Sequence, residues 1–166
     1  MYHKSESKRK RENMISYIFF CSLLIGSAFC AYRMSTSDLK HRLIPDIYLF
    51  PFMFAGLLLT AFFPWPVTIA DSVVGGSMGY CLGLVIGYIF EHYQKNKKHP
   101  PIGMGDIKLL GAGGVWLGTI GLAIAMALAC VFSAVWSYKN NQKYVPFAPF
   151  FLMGGFLSLI MILFLV

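Results

Sequence analysis

The chain has 166 residues, of which 57% are hydrophobic and 13% are charged, and its formal net charge is +7. Soluble domains are about 25% charged, so this composition excludes an ordinary soluble domain and indicates a membrane protein with several spans. The basic residues lie in short segments between apolar runs and form no separate basic domain. This pattern argues against a nucleic-acid partner.

The apolar runs predict an all-α membrane protein, with a basic polar tail at residues 1–13 and one membrane domain at residues 14–166. The runs cover about residues 14–32, 47–63, 69–90, 107–136 and 147–166. The fourth run would form a helix of about 45 Å, which exceeds a bilayer core of roughly 30 Å. We therefore divide it near residues 118–121 and predict six spans in one polytopic bundle.

A repeat of glycines marks the third run. Gly75, Gly79, Gly83 and Gly87 recur every four residues and so lie along one face of a helix. Glycines at this spacing allow a neighbouring helix to approach closely. We predict a tight helix–helix contact at this face.

The positive charges predict an orientation. With six spans, the connections after the first, third and fifth lie on one side of the membrane. They hold nine cations: Arg33, Lys40, Arg42, Lys95, Lys97, Lys98, Lys108, Lys139 and Lys143. The positive-inside bias places that side in the cytoplasm. The five cations of the N-terminal tail conflict with this orientation unless translation starts at Met14.

Two aspartates at the ends of apolar runs are the candidate functional residues. Asp38 and Asp106 both fall on the predicted cytoplasmic side. A carboxylate at the edge of a bilayer is costly to retain without a partner or a role. Each also has a simpler explanation: Asp106 could cap a helix, and Asp38 could lie in an interfacial loop with basic anchors.

Two carboxylates held close together can perform acid–base chemistry. Repulsion between their charges favours a state in which one is ionised and the other is protonated. The ionised group can take a proton from water while the protonated group polarises a carbonyl oxygen. This combination cleaves an amide without a covalent intermediate, so we predict that the pair hydrolyses a bond at the membrane surface.

The motifs around these aspartates resemble the type IV prepilin peptidase family, a group of GxGD intramembrane-associated aspartyl proteases. The resemblance covers about residues 25–160 and is carried by Asp38 with Ile44-Pro45-Asp46, by Gly103-x-Gly105-Asp106-x-Lys108, and by Pro146-Phe147-Ala148-Pro149-Phe150 with Gly154. It implies a six-helix peptidase with Asp38 and Asp106 as the catalytic pair.

The resemblance also implies a substrate and a place of action. The enzyme would remove the short basic leader from prepilins or pseudopilins at the cytoplasmic face of a bacterial inner membrane, with the apolar helix of the substrate in the bilayer. Gly103 and Gly105 would shape the active-site loop, and Lys108 would orient Asp106 or meet a lipid phosphate. Asp46 matches a polar position of the family pattern, and we expect it to be a turn or cap residue.

One departure from the family pattern concerns the connection between the first two spans. Long members of this family carry a cytoplasmic domain there, often with paired Cys-x-x-Cys motifs, and also methylate the new pilin N-terminus. This chain has only about residues 34–46 in that place. We therefore expect a short, peptidase-only form without N-methyltransferase activity.

No metal or cofactor is predicted. The four cysteines lie inside apolar runs without Cys-x-x-Cys pairs, and the histidines lack metal-ligand spacing.

Two other functions are compatible with a small polytopic protein. A channel or transporter would use the aspartates to bind a cation or relay protons, but none of the span centres we predict carries a charge. An assembly subunit of a pilus or secretion machine would use the glycine-rich helix for association, which leaves both aspartate motifs unexplained. The sequence leaves the oligomeric state and the identity of the substrate open.

Overall fold

The computed structural model describes residues 2–93, 103–140 and 145–165. These residues form five helices and no strand: α1 (Tyr2–His41), α2 (Asp46–Phe62), α3 (Ile69–Tyr93), α4 (Met104–Asn140) and α5 (Phe147–Leu165). Residues 14–41 of α1, together with α3, α4 and α5, are long and apolar enough to cross a membrane, and α2 is a shorter apolar helix. The predicted all-α polytopic membrane fold is confirmed. The backbone of α1 is helical from Tyr2, so this helix includes the predicted tail.

Helix α4 reverses direction at Gly118, where the backbone has φ 66° and ψ −170°. Before the reversal, Gly113 packs against the ring of Phe151 near the start of α5. After it, the ring of Trp136 lies 5.9 Å from the ring of Phe150. Because both halves of α4 reach the start of α5, they run antiparallel and contribute two segments. The division predicted at residues 118–121 is therefore confirmed, and the bundle has six helical segments in the described residues.

The carboxylate of Asp71 stabilises this reversal. Its Oδ1 atom accepts hydrogen bonds from the backbone N–H of Thr119 at 3.2 Å and from the Thr119 hydroxyl at 2.7 Å. A Cβ at Gly118 would overlap the Asp71 carboxylate, and its positive φ also disfavours other residues. Asp71 thus caps the second half of α4, at the end of the bundle opposite to Asp106.

The closest helix contact joins α3 to the first half of α4. A Cβ at Gly114 would overlap the carbonyl group of Gly75, and a Cβ at Gly79 would overlap the carbonyl group of Leu110. Backbones approach this closely only where both helices carry small residues. The tight contact predicted for the glycine face is present, and α4 is its partner.

Trp116 connects the first half of α4 to α2. Its indole N–H donates to the carbonyl of Phe52 at 2.9 Å, and the two rings stack with centroids 5.1 Å apart. Trp65, which follows α2, donates its own indole N–H to the carbonyl of Trp116 at 3.1 Å. Residues 104–117 therefore lie at the centre of the bundle, between α2, α3 and α5.

We expect Gly114→Ala to destabilise the bundle. The new methyl group would meet the backbone of Gly75, which cannot rotate away, and overpacking of this kind costs about 1–3 kcal/mol. Thermal unfolding in detergent measures the loss. Gly26→Ala is the matched control, because no atom lies within 4 Å of the added group. Equal unfolding temperatures for the two variants would contradict the proposed contact.

We also expect Asp71→Ala to lower the free energy of unfolding by about 1 kcal/mol, as the loss of a helix cap does. Asp71→Asn should retain most of the stability, since an amide oxygen still accepts both bonds from Thr119. The same unfolding experiment compares the two. A larger loss for the asparagine variant than for the alanine variant would show that Asp71 does not act as a cap.

Candidate active site

Asp38 lies near the C-terminal end of α1 and is only 5% exposed. Because α1 continues to His41, this aspartate is carried on a helix, and the alternative that placed it in an interfacial loop is wrong. Its Oδ2 atom accepts a hydrogen bond from the backbone N–H of Ala148 at 2.8 Å, and the carboxylate also accepts one from Phe147. These N–H groups belong to the first turn of α5, where no helical carbonyl is available to them. Asp38 therefore caps α5 across the bundle.

Asp106 is the third residue of α4, and it exchanges hydrogen bonds with the backbone of Gly103, the residue before the helix. The Asp106 N–H donates to the carbonyl of Gly103 at 3.0 Å, and its carboxylate accepts a hydrogen bond from the Gly103 N–H. This reciprocal pair satisfies two groups at the start of the helix. The simpler explanation, that Asp106 is the N-cap residue, is therefore wrong in position: Asp106 lies inside the first turn of α4 and bonds back to Gly103.

The fold brings the two aspartates together. The carboxylate of Asp38 acts electrostatically on that of Asp106, and the positive charge of Arg42 acts on Asp38. Both side chains lie at the ends of helices, at the same end of the bundle. Two carboxylates whose charges interact favour a state in which one of them is protonated, and such a pair can provide one acid and one base.

The glycines of the second motif occupy two different positions. Gly103 precedes α4, and a Cβ there would lie 3.3 Å from Oδ2 of Asp106. Gly105 is inside the helix, where a Cβ would lie 3.0 Å from Cβ of Ile44. Gly103 therefore leaves space beside the carboxylate, while Gly105 lets α4 approach the connection between α1 and α2. The expectation that Gly105 belongs to a loop is wrong, since it lies in the first turn of α4, and Lys108 lies in the same helix.

Lys108 pairs with Asp46 and not with Asp106. Its Nζ atom lies 2.6 Å from Oδ2 of Asp46, at the start of α2, and 5.8 Å from the centre of the Phe50 ring. Asp46 was expected to be a turn or cap residue and is in the first turn of its helix. The ion pair itself was not predicted.

The donors to Asp38 were also missed. The segment with Pro146 and Pro149 was recognised only as similar to the last span of a family. Proline is common at the start of a helix, because a backbone N–H there has no helical partner and proline has no backbone N–H to leave unpaired. The two prolines therefore signalled the start of α5, but its position beside Asp38 depends on the fold of the whole bundle.

No three side chains of His, Cys, Asp or Glu come together as metal ligands would within residues 14–93, 103–140 and 145–164. The groups that the structure places at this site are two carboxylates, backbone N–H groups and nearby cations.

Comparison with curated proteins gives several relatives. The chain is 29% identical over 130 residues to the prepilin leader peptidase/N-methyltransferase of Aeromonas salmonicida, which covers 74% of this chain and 43% of that protein. It is 30% identical over 129 residues to the protein of the same name from Burkholderia pseudomallei, covering 74% and 40%. A type 4 prepilin-like proteins leader peptide-processing enzyme of Escherichia coli is 27% identical over 127 residues, covering 73% and 45%. The chain thus spans less than half the length of these relatives.

No solved structure matches the chain significantly. Residues 22–138 match the model of the type IV leader peptidase family, and this segment contains both aspartates and both of their motifs. A match over well more than half of the sequence, together with the relatives above, means that this chain belongs to the type IV leader peptidase family.

Proposed function

We propose that this protein is an aspartyl endopeptidase that removes the short basic leader peptide from type IV prepilins or pseudopilins. The main observation behind this proposal is that Asp38 and Asp106 lie at the same end of the bundle, where their charges interact. Membership of the leader peptidase family and the names of the relatives support the same reaction.

The two carboxylates divide the acid and base roles. Asp38 accepts two backbone hydrogen bonds and faces the positive charge of Arg42, whereas Asp106 accepts one and faces the negative charge of Asp38, so we assign the proton of the pair to Asp106. Asp38 takes a proton from a water molecule as the water oxygen bonds to the scissile carbonyl carbon. Asp106 donates its proton to the carbonyl oxygen, which produces a neutral gem-diol.

Collapse of the gem-diol completes the reaction. The carbon–nitrogen bond breaks as the leaving nitrogen takes the proton that Asp38 had removed from water. A hydroxyl of the gem-diol returns its proton to Asp106, and the carboxylic acid product forms. The pair of aspartates is then in its starting state, and one water molecule has been consumed.

The charges at this end of the bundle support an active site at the cytoplasmic face of a bacterial inner membrane. Described cations at the same end include Arg33, Lys40, Arg42, Lys108 and Lys139. The predicted orientation also used four cations that lie outside the described residues: Lys95, Lys97, Lys98 and Lys143. The positive-inside bias keeps a basic leader on the cytoplasmic side, where a site at this face can reach it, while the apolar segment of the substrate lies in the bilayer.

We further propose that the chain cleaves its substrate without methylating the product. Helix α1 ends at His41 and α2 begins at Asp46. This short connection occupies the place where, by the resemblance described above, long members insert the domain with paired cysteines. Two of the relatives compared carry both activities in their name.

Both aspartates are expected to be essential for cleavage. In a co-expression assay, a prepilin reporter with a basic leader that ends in glycine should be shortened by the wild type and not by Asp38→Asn or Asp106→Asn. Each asparagine retains an oxygen that can accept the structural hydrogen bond of its aspartate, from Ala148 or Gly103. A gel shift of the reporter measures cleavage. If a variant is expressed normally but does not cleave, the loss is one of acid–base chemistry.

Asp71→Asn is the matched control for this assay. It removes a carboxylate at the far end of the bundle and should leave cleavage unchanged. Cleavage by all variants would remove the aspartate pair from the mechanism. If the wild type cleaves no leader in a panel of prepilin and pseudopilin reporters, the proposed activity is wrong.

The space beside Asp106 gives a separate prediction. Gly103→Ala would place a methyl group 3.3 Å from Oδ2 of Asp106. Because small displacements of a catalytic group are costly, we expect the cleavage rate to fall by about tenfold. Gly87→Ala is the control, since its added group would meet only Ile107, at an ordinary 3.6 Å. Equal rates for the two variants would show that the position beside Asp106 tolerates a side chain.

A further inference from the structure

Two hydrogen bonds anchor the connection between α1 and α2 to the end of α1. The hydroxyl of Ser37 donates to the carbonyl of Leu43 at 2.8 Å, and the N–H of Arg42 donates to the carbonyl of Asp38 at 2.9 Å. Arg42 has a φ of 53°, which turns the chain out of α1. The position of this connection is therefore tied to the position of Asp38.

The same connection contacts the start of α4 at two points. Ile44 is 5% exposed and packs against Gly105, one residue before Asp106. Asp46 forms its ion pair with Lys108, two residues after Asp106. One contact lies on each side of Asp106 in the sequence, and both reach back to the segment that follows Asp38.

The ion pair contributes more to geometry than to stability. The side chains of Lys108 and Asp46 are 30% and 49% exposed. Partly exposed ion pairs of this kind stabilise a fold by about 1 kcal/mol or less. The close packing of α3, α4 and Trp116 stabilises the bundle independently of this pair. Its loss should therefore leave the protein folded while freeing the start of α4 to shift relative to α1.

We propose that Asp46 and Lys108 are positioning residues for leader-peptide cleavage: their ion pair fixes the start of α4 against the α1–α2 connection and so sets Asp106 opposite Asp38. This inference rests on the proposed peptidase function. Neither side chain touches the substrate in this scheme, and both act through the separation of the two carboxylates. A displacement of about 1 Å in such a site can reduce catalysis by as much as a hundredfold.

Steady-state kinetics of the purified full chain in lipid nanodiscs test the proposal, with the glycine-ended prepilin reporter as substrate. Asp46→Asn and Lys108→Met should each lower kcat by about ten- to a hundredfold. KM should stay within about threefold, since the changes affect the reacting groups and not substrate binding. The thermal unfolding temperature should remain that of the wild type.

Restoring the pair should restore the rate. The charge-swapped protein, Asp46→Lys with Lys108→Asp, should recover most of the lost kcat, and Lys108→Arg should stay close to wild type. Tyr48→Phe is the matched control: it removes a hydrogen bond at 3.3 Å from Arg33, which joins α1 to α2 without involving α4. Its kcat should be unchanged.

Four results would overturn the inference. The single variants could retain the wild-type kcat, or the swapped protein could be no more active than they are. The unfolding temperature could fall together with kcat, which would indicate a merely structural role. A wild type that cleaves none of the prepilin reporters would refute the peptidase function, and this inference with it, whereas the first three results leave that function intact.

Discussion

A carboxylate buried at the edge of a bilayer must find hydrogen-bond donors, and in this protein the starts of two helices provide them. Asp38 accepts bonds from the first turn of α5, and Asp106 accepts one from Gly103 at the start of α4. The N-terminus of a helix suits an anion because its N–H groups are unpaired and its dipole is positive there. The two aspartates therefore need the starts of α4 and α5 as donors, and the end of α1 must lie where Asp38 can reach α5.

The position of Asp106 follows from the packing of the helix that carries it. The first half of α4 is in close contact with α3 through paired glycines and with α2 through Trp116. Close contact matters here because helices in a bilayer gain little from hydrophobic burial, so their association relies on van der Waals packing. The reversal at Gly118 then returns the chain to the same end of the bundle, where α5 starts beside Asp38.

Features that depend on local sequence could be predicted. The span positions followed from apolar length, and the division of α4 followed because a single helix of that size exceeds a bilayer. The two aspartates stood out because their motifs are distinctive and lie on one predicted side. The partners of these groups could not be predicted in the same way. Lys108 and Asp46 are 62 positions apart and Asp38 and Ala148 are 110 apart, so their contacts depend on how the helices pack.

The extension of α1 through Asp38 was missed for a related reason. Residues 33–41 are polar, and polarity in a membrane protein usually marks a loop. Here Met34 and Asp38 lie on a buried face of the continuing helix, and Asp38 is satisfied by α5. Tertiary contacts thus override the local signal.

The shortness of α2 has a consequence for the surrounding lipid. The 17 residues of α2 rise only about 25 Å, less than a hydrocarbon core of roughly 30 Å, and the side chains of Ile47, Phe50 and Phe54 on this helix are exposed. Lipids that adjoin a helix shorter than the core thin locally to match it. A depression of this kind beside α2 brings headgroups and water closer to the ends of this helix. Asp38 and Asp106 lie at the end of the bundle where α2 begins, so the deformed bilayer itself brings solvent nearer to them.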